Sequence, residues 1–245
     1  MRITDTEVER YARQLVLHEI GGAGQQALKR ARVLVVGLGG LGLPAAAYLA
    51  GAGVGRLGLV DPDTVAVSNL HRQILFQTAD IGLAKTDVAA ARLLALNPYL
   101  EIDLYPERFE AAADIVGSYD VVLDGTDSFP TRFAVNAACI LADRPLVSGA
   151  IGRWHGQVGV FRKRPCYRCL VPQVPPEAEA CAEVGVVGPL PGVIGAIMAM
   201  EAIKLIAGAG APLDSRLLLF DGLTGASRTV HIMADPACPA CAAAP

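Results

Sequence analysis

Histidine is scarce in this chain and scattered: His18, His71, His155 and His231 fall at no spacing that makes a ligand pair or a catalytic triad. A strong charge of either sign is missing too. A formal net charge of −3 over 245 residues gives no general attraction for nucleic acid or an anionic membrane. No clean apolar run approaches the roughly 20 residues a bilayer span needs. The longest runs are broken by Pro44, Arg56, Glu201 and Lys204. The opening, MRITDTEVERYARQ, is polar and carries acids, unlike a secretory signal, so a cytoplasmic protein is expected. Internal repeats and low-complexity linkers are also lacking, which argues against splitting the chain.

What is present suits one large α/β domain, or one domain with small attachments. Hydrophobic residues make up 53% and charged residues 18%, enough apolar material for a sizeable core. Val8, Tyr11, Leu15 and Val16 lie near one face of a predicted helix over 5–19, which Gly21-Gly22 should end. A helix at 24–30, a strand at 33–36, a helix at 43–50 and a strand at 56–60 follow. After an irregular stretch at 61–73 come a helix at 83–96, strands at 101–105 and 119–124, a helix at 131–142 and a strand at 145–148. This alternation predicts a Rossmann-like, mostly parallel sheet with helices on both faces. The pattern then changes. Residues 157–162 alternate as an antiparallel strand does, and 170–191 read as a Pro/Gly-rich crossing loop. A strongly apolar helix at 192–207 and strands near 216–220 and 227–233 complete the reading.

The stretch VLVVGLGGLG at 33–42 runs a strand into Gly37, Gly39, Gly40 and Gly42. The spacing Gly37-x-Gly39-x-x-Gly42 lets the backbone approach a phosphate at a helix start, where free N–H groups and the helix dipole favour an anion. Asp61 ends the second strand, where an acid accepts from ribose hydroxyls. The bland reading is a tight strand–helix turn with an incidental acid. Asn69, Arg72 and Gln73 follow in the next loop, and Lys85 opens the next helix. Taken singly, Arg72 and Lys85 read as solvated surface charges. Beside a ribose acid they suit phosphoryl or nucleotidyl transfer, which needs cations around a triphosphate, whereas hydride transfer does not. Asp127 follows the strand YDVVL, where a carboxylate can hold Mg²⁺ against a polyphosphate. The bland reading is that Asp124 or Asp127 merely caps the following turn, Asp124 above all.

Of six cysteines, four form C-x-x-C pairs, Cys166/Cys169 and Cys238/Cys241. Two pairs complete a tetrahedral S₄ set suited to structural Zn²⁺, a staple tying the tail to the loop after 165. Thioredoxin-like redox use is the alternative. Cys181 stands alone in the crossing loop, either as a buried thiol or as a nucleophile on an exposed loop. Cys139 reads as core.

The runs RYARQLVLHEIGGAGQQALKRARVLVVGLGGLG, GVGRLGLVDPDTVAVSNLHRQ, LDGTDSFPTR, GAIGRWHGQV, PCYRCL, CAEVGVVGPLPGVIGAIMAMEAIK and PACPAC, with Lys85 between them, are together similar to the MoeB/ThiF/HesA proteins. These are bacterial relatives of ubiquitin-activating enzymes, and the pattern is nearest the MoeB type. The resemblance covers nearly the whole chain. It implies a homodimeric adenylyltransferase that uses ATP to activate the C-terminal glycine carboxylate of a small ubiquitin-like sulfur carrier protein ending in Gly-Gly. Carried over by position, Asp61 would bind the ribose, Asn69, Arg72 and Lys85 the phosphates, and Asp127 the Mg²⁺. Arg13 would reach the partner subunit's phosphates, and Cys166, Cys169, Cys238 and Cys241 would hold Zn²⁺. Cys181 would match the cysteine that some members use for a thioester or acyl-persulfide step. A sulfur donor such as a cysteine desulfurase or rhodanese is implied as well. The resemblance divides one adenylation domain, 1–245, into an arm (1–30), a nucleotide-binding half (31–150) and a carrier- and zinc-binding half (151–245). Two departures stand out. The family's C-T-D-N is here Gly125-Thr126-Asp127-Ser128, and no rhodanese-like domain follows residue 241, so sulfur transfer in this chain is expected to reach Cys181 at most. The competing readings are a nicotinamide-dependent oxidoreductase, activation of a different carboxylate, and a zinc-stapled scaffold that binds nucleotide without catalysis.

Overall fold

The computed structural model describes residues 3–175 and 185–242. Five strands, β1 (Arg32–Val36), β2 (Arg56–Val60), β3 (Glu101–Tyr105), β4 (Val121–Asp124) and β5 (Leu146–Gly152), pair in parallel in the order β3-β2-β1-β4-β5. Three antiparallel strands, β6 (His155–Phe161), β7 (Arg216–Asp221) and β8 (Ala226–His231), extend the same sheet beyond β5. The sequence predicted this class of sheet, and its strand order places a topological switch between β1 and β4. Open α/β sheets bind ligands at such a point, beyond the carboxyl ends of the strands.

The pleat explains why β1 is apolar on both faces. Val33 and Val35 pack into one core layer, while Leu34 and Val36 pack into the other. The first layer is covered by α3 (Gly21–Arg30), α4 (Gly42–Ala52), α5 (Lys85–Leu96) and the long α8 (Pro189–Ala207). The second lies under α6 (Phe129–Ala142) and the short α7 (Tyr167–Leu170). By length and apolarity alone α8 could cross a membrane. In the fold it packs on α3, α4, β5 and β6, with Leu190, Ile194, Met198 and Ala202 buried. Each large side chain buried this way contributes roughly 1.5–3 kcal/mol. Glu201, buried on the same helix, accepts the Leu213 N–H at 2.7 Å and pairs with Lys204.

The N-terminal segment departs from one helix over 5–19. It forms α1 (Asp5–Arg10) and α2 (Ala12–Leu15), separated at Tyr11. Tyr11 is 3% exposed, and its hydroxyl accepts from Asn97 Nδ2 at 2.9 Å, so tertiary anchoring overrides the helix period. The Gly21-Gly22 pair starts α3 as well as closing the arm: Gly21 N–H reaches Leu17 O at 2.8 Å, and Gly24 N–H already reaches Ile20 O at 2.8 Å. A capping box joins Thr4 to Glu7, and Lys29 Nζ bonds Glu7 Oε2 at 2.6 Å, which ties the arm to α3. Elsewhere β5 runs on to Gly152, because pairing with β6 extends it beyond the predicted 145–148.

Candidate active site

At the carboxyl ends of β1, β2 and β4 lies a cavity of about 790 Å³. Gly37, Gly39, Gly40, Asp61, Asn69, Arg72, Gln73, Lys85 and Asp127 all line it. The glycine turn is shaped by two constraints. Gly37 sits at φ +87°, a left-handed conformation that favours glycine. A Cβ on Gly42 would collide with the Gly37 carbonyl oxygen, so α4 can begin tightly against the turn only with glycine there. Gly42 stands behind the cavity wall. Among the described residues the N–H groups of Gly39, Gly40 and Leu41 donate to no backbone carbonyl, which leaves them available to an anion at the start of α4.

Asp61 is 5% exposed and braces this turn. Its Oδ2 accepts the Leu38 N–H at 2.6 Å, and its Oδ1 accepts the Asp63 N–H at 2.9 Å. Burial pushes its carboxyl above the ordinary aspartate value, against the pull of Lys85 and those N–H groups. Lys85, also buried, donates to Asp63 Oδ2 at 2.8 Å and stands 3.8 Å from Asp61 Oδ1. Arg72 Nη1 donates to Ser68 O at 2.9 Å and lies 2.8 Å from His71 Nε2. Gln73 is 3% exposed and lines the cavity; its amide nitrogen lies near Gly39, and its Oε1 is a buried acceptor with no partner among the described residues.

The far wall holds a network that sequence reasoning missed. Asp124 is fully buried. It accepts from the N–H and hydroxyl of Thr126 at 3.0 and 2.7 Å and from Ser148 Oγ at 2.9 Å. Arg132 on α6 stands 3.6 Å from Asp124 and donates to Ser148 Oγ, Gly149 O and Thr126 O. Burial opposes its charge, but Asp124, Tyr167 and Asp127 together outweigh that and hold the guanidinium more firmly protonated than usual. Asp124 is thus the anchor of the 124–127 turn. Asp127 beside it is exposed, and its carboxylate makes no hydrogen bond among the described residues. Tyr167, Phe109 and Arg108 also line the cavity, none of them singled out by the sequence. Arg132 and Asn136, buried polar residues four apart on a largely apolar helix, were the available signal.

Arg13 lies exposed on α2 and does not line the cavity of its own chain. Cys181 lies outside the described residues. Cys139 is buried on α6, as expected.

The two C-x-x-C pairs come together. The Sγ atoms of Cys166, Cys169, Cys238 and Cys241 all lie within 4.8 Å of one another, with Cys166–Cys238 at 3.6 Å and Cys169–Cys241 at 3.5 Å. Zn–S bonds of about 2.3 Å set tetrahedral sulfurs about 3.8 Å apart, so this donor set fits a closed zinc site. Backbone N–H groups point at the sulfurs: Arg168 toward Cys166, and Ala240 and Cys241 toward Cys238. Burial works against the Cys238 thiolate, but those N–H groups together with the Cys241 and Cys166 thiols outweigh it and bring the thiol down to about 7.

A glycine turn at a β1/β4 switch point, an acid at the end of β2 and cations on the facing loop define a doubly wound α/β protein of the nucleotide-binding class. The chain belongs to the ThiF family, whose model matches residues 11–240. A sulfur carrier protein adenylyltransferase of Thermus thermophilus is 49% identical over 252 residues, covering 98% of this chain and 93% of the relative. The adenylyltransferase and sulfurtransferase MOCS3 of Drosophila yakuba is 47% identical over 252 residues, covering all of this chain but 55% of that protein. The chain therefore spans about half the length of its MOCS3 relatives. Among solved structures, E. coli MccB with MccA-N7isoASN superposes with a TM-score of 0.84 at 25% identity, over 95% of this chain and 74% of that one. Like the relatives that match it along its whole length, the chain is an adenylyltransferase.

Proposed function

We propose that this chain activates the C-terminal glycine carboxylate of a ubiquitin-like sulfur carrier protein with ATP, forming an acyl-adenylate and pyrophosphate. The observation that carries the reading is one cavity holding the free N–H groups of the glycine turn, Asp61, Asn69, Arg72, Lys85 and Asp127. The glycine turn and Lys85 cradle the phosphates, and Asp61, ionised, accepts from the ribose. Asp127 is the carboxylate suited to Mg²⁺, which when bound neutralises charge on the polyphosphate. The carrier's carboxylate, already ionised at neutral pH, attacks the α-phosphorus. Arg72 and Lys85 offset the charge of the departing pyrophosphate. No general base is required, which accounts for a site built without histidine catalysis. A persulfide on a sulfur donor, such as a cysteine desulfurase or a rhodanese, then displaces AMP to form an acyl disulfide, and a thiol that attacks the donor's sulfur releases the carrier thiocarboxylate and ends in a disulfide with the donor.

In this reading, residues 31–150 hold the nucleotide and 151–245 hold the carrier and Zn²⁺. A second cavity of about 680 Å³ lies on β5–β8, lined by Ile151, Leu219, Phe220, His155, Asp221 and Arg228 among others. Ala150, Ile151 and Gln157 line both cavities, so a carrier seated on these strands has a route for its Gly-Gly tail to the nucleotide. Two chains work as a homodimer. Tyr48 on α4 and Val193 and Met200 on α8 are exposed on helices that pack together, an apolar surface fit for a second copy. Arg13, outside its own cavity, reaches the partner's phosphates.

A nicotinamide-dependent oxidoreductase leaves Arg72, Lys85 and Asp127 without a part. Activation of a different peptide carboxylate is the weaker reading, since MccB is 25% identical and the sulfur carrier relative 49%. The test is ATP–pyrophosphate exchange with a set of carriers ending in Gly-Gly. Exchange stimulated by one of them is expected. Its absence with every carrier, in folded metal-loaded protein, overturns the reading.

A further inference from the structure

The four-cysteine site and the nucleotide cavity share a helix. Ser128 caps the start of α6, next to Asp127, and Arg132 one turn on anchors the cavity wall. Asn136, a further turn along, faces the metal site. It is 1% exposed. Its Oδ1 accepts the N–H of Tyr167 at 2.8 Å, the residue directly after Cys166. Its Nδ2 is buried with no hydrogen-bond partner among the described residues, and the amide bears on the neighbouring Cys166 thiol, which burial pushes up and Asn136 pulls down. A buried amide donor left without an acceptor is destabilising, so its placement beside a sulfur calls for a reason.

Charge supplies one. Four thiolates around a divalent ion carry a net charge of two minus, and Cys166, Cys238 and Cys241 are almost wholly buried. Such a centre needs N–H donors around its sulfurs. The backbone provides them at Cys238 from two residues and at Cys166 from Arg168. Asn136 is a buried side-chain amide that bears on Cys166 from outside the two C-x-x-C loops.

We propose that Asn136 is an outer-shell residue of the four-cysteine metal site, its Nδ2 donating to the metal-bound Cys166 sulfur while its Oδ1 fixes the Tyr167 backbone. One side chain thereby seats the metal loop on α6 and sets Tyr167 in the wall of the nucleotide cavity. The proposal rests on the metal reading of the four cysteines and is independent of which carrier is activated.

The test compares wild type, Asn136→Asp and Asn136→Ala, each loaded with Zn²⁺ and with Co²⁺. Aspartate is nearly isosteric and keeps an acceptor for the Tyr167 N–H, but cannot donate to sulfur and adds charge. The expected result is faster metal transfer to a chromophoric chelator by 10- to 100-fold in both variants, the usual scale for an outer-shell partner. A shift of the sulfur-to-cobalt charge-transfer band should accompany it, because the thiolate loses a hydrogen bond. Faster release with an unmoved band means the amide only packs there and overturns the donor role. Unchanged release and band in folded protein overturn the proposal entirely. A wild-type protein that takes up neither metal removes the metal site, and the proposal with it, while leaving the adenylylation reading standing.

Discussion

Replacing Arg132 by methionine should cost far more than any surface arginine. The guanidinium is 7% exposed and sits 3.6 Å from Asp124, whose side chain is 1% exposed. It also donates to Ser148 Oγ, Gly149 O and Thr126 O. Methionine fills the space of the aliphatic stem, so the loss is electrostatic and hydrogen-bonding rather than a cavity. Removing one partner of a buried pair strands the other charge and costs about 3–5 kcal/mol. In a chain of this size 1 kcal/mol moves the thermal midpoint by about 2–4 °C, so a drop of about 8–16 °C is expected for a loss of about 4 kcal/mol. Scanning calorimetry of the metal-loaded protein measures it. Arg132→Met combined with Asp124→Asn should recover at least about half of the loss, since no buried charge remains unpaired. Because Arg132 also holds the Thr126 carbonyl, the turn carrying Asp127 should loosen, and exchange at saturating ATP should fall on the order of 10- to 100-fold. A single variant losing under about 1 kcal/mol, or a double variant no better than the sum of its parts, refutes the argument.

Other consequences are open to direct measurement. Gly42→Ala drives a methyl into the Gly37 carbonyl, so nucleotide affinity should collapse and stability should fall by about 1–3 kcal/mol, read by calorimetric titration and urea melts. Glu7 is held below its ordinary value: burial raises it, but Lys29 and Thr4 outweigh that. Its contribution is therefore full above the unfolded value of 4.5 and lost as the pH falls through the depressed one. Glu7→Gln should cost about 1–3 kcal/mol at pH 7 and flatten the acid limb of the stability profile. Asp61 runs the other way. Its value is raised, so its own stability contribution is full below the unfolded 3.8 and lost as the pH climbs through the raised one. Nucleotide binding needs the ionised form and should weaken as the pH falls through that same window. Asp61→Asn should bind more weakly at pH 7 and show no such fall. For the shared site, Arg13→Ala mixed with Lys85→Ala should regain exchange in mixed dimers. Activity no higher than either parent alone counts against action across the dimer.

Much of the fold was legible because its signals are local. Val33 to Val36 are apolar on both faces, and the glycines, the Asn97-Pro98 stop and the alternation along β6 announce their own conformations. Where tertiary contacts decide, local reading fell short: the bond between Tyr11 and Asn97 breaks one expected helix in two, and pairing with β6 lengthens β5. The site divides in the same way. Its glycines, Asp61 and the cysteine pairs carry spacings that reveal them. The part of Arg132 cannot be read from spacing, because its partners Asp124, Ser148 and Gly149 come from two other strands. Gln73 was placed by its neighbours, but its unpartnered oxygen is visible only once the chain is folded.

The central claim is that AMP is transferred to a carrier's terminal glycine. Incubating the metal-loaded protein with ATP, Mg²⁺ and a Gly-Gly carrier, then quenching for intact-mass spectrometry, tests it most directly. A carrier heavier by one adenylyl group on its C-terminal carboxylate is expected, with no such adduct when the last glycine is deleted or when Lys85→Ala is used. A carrier of unchanged mass while ATP is consumed, or an adduct that survives deletion of that glycine, contradicts it.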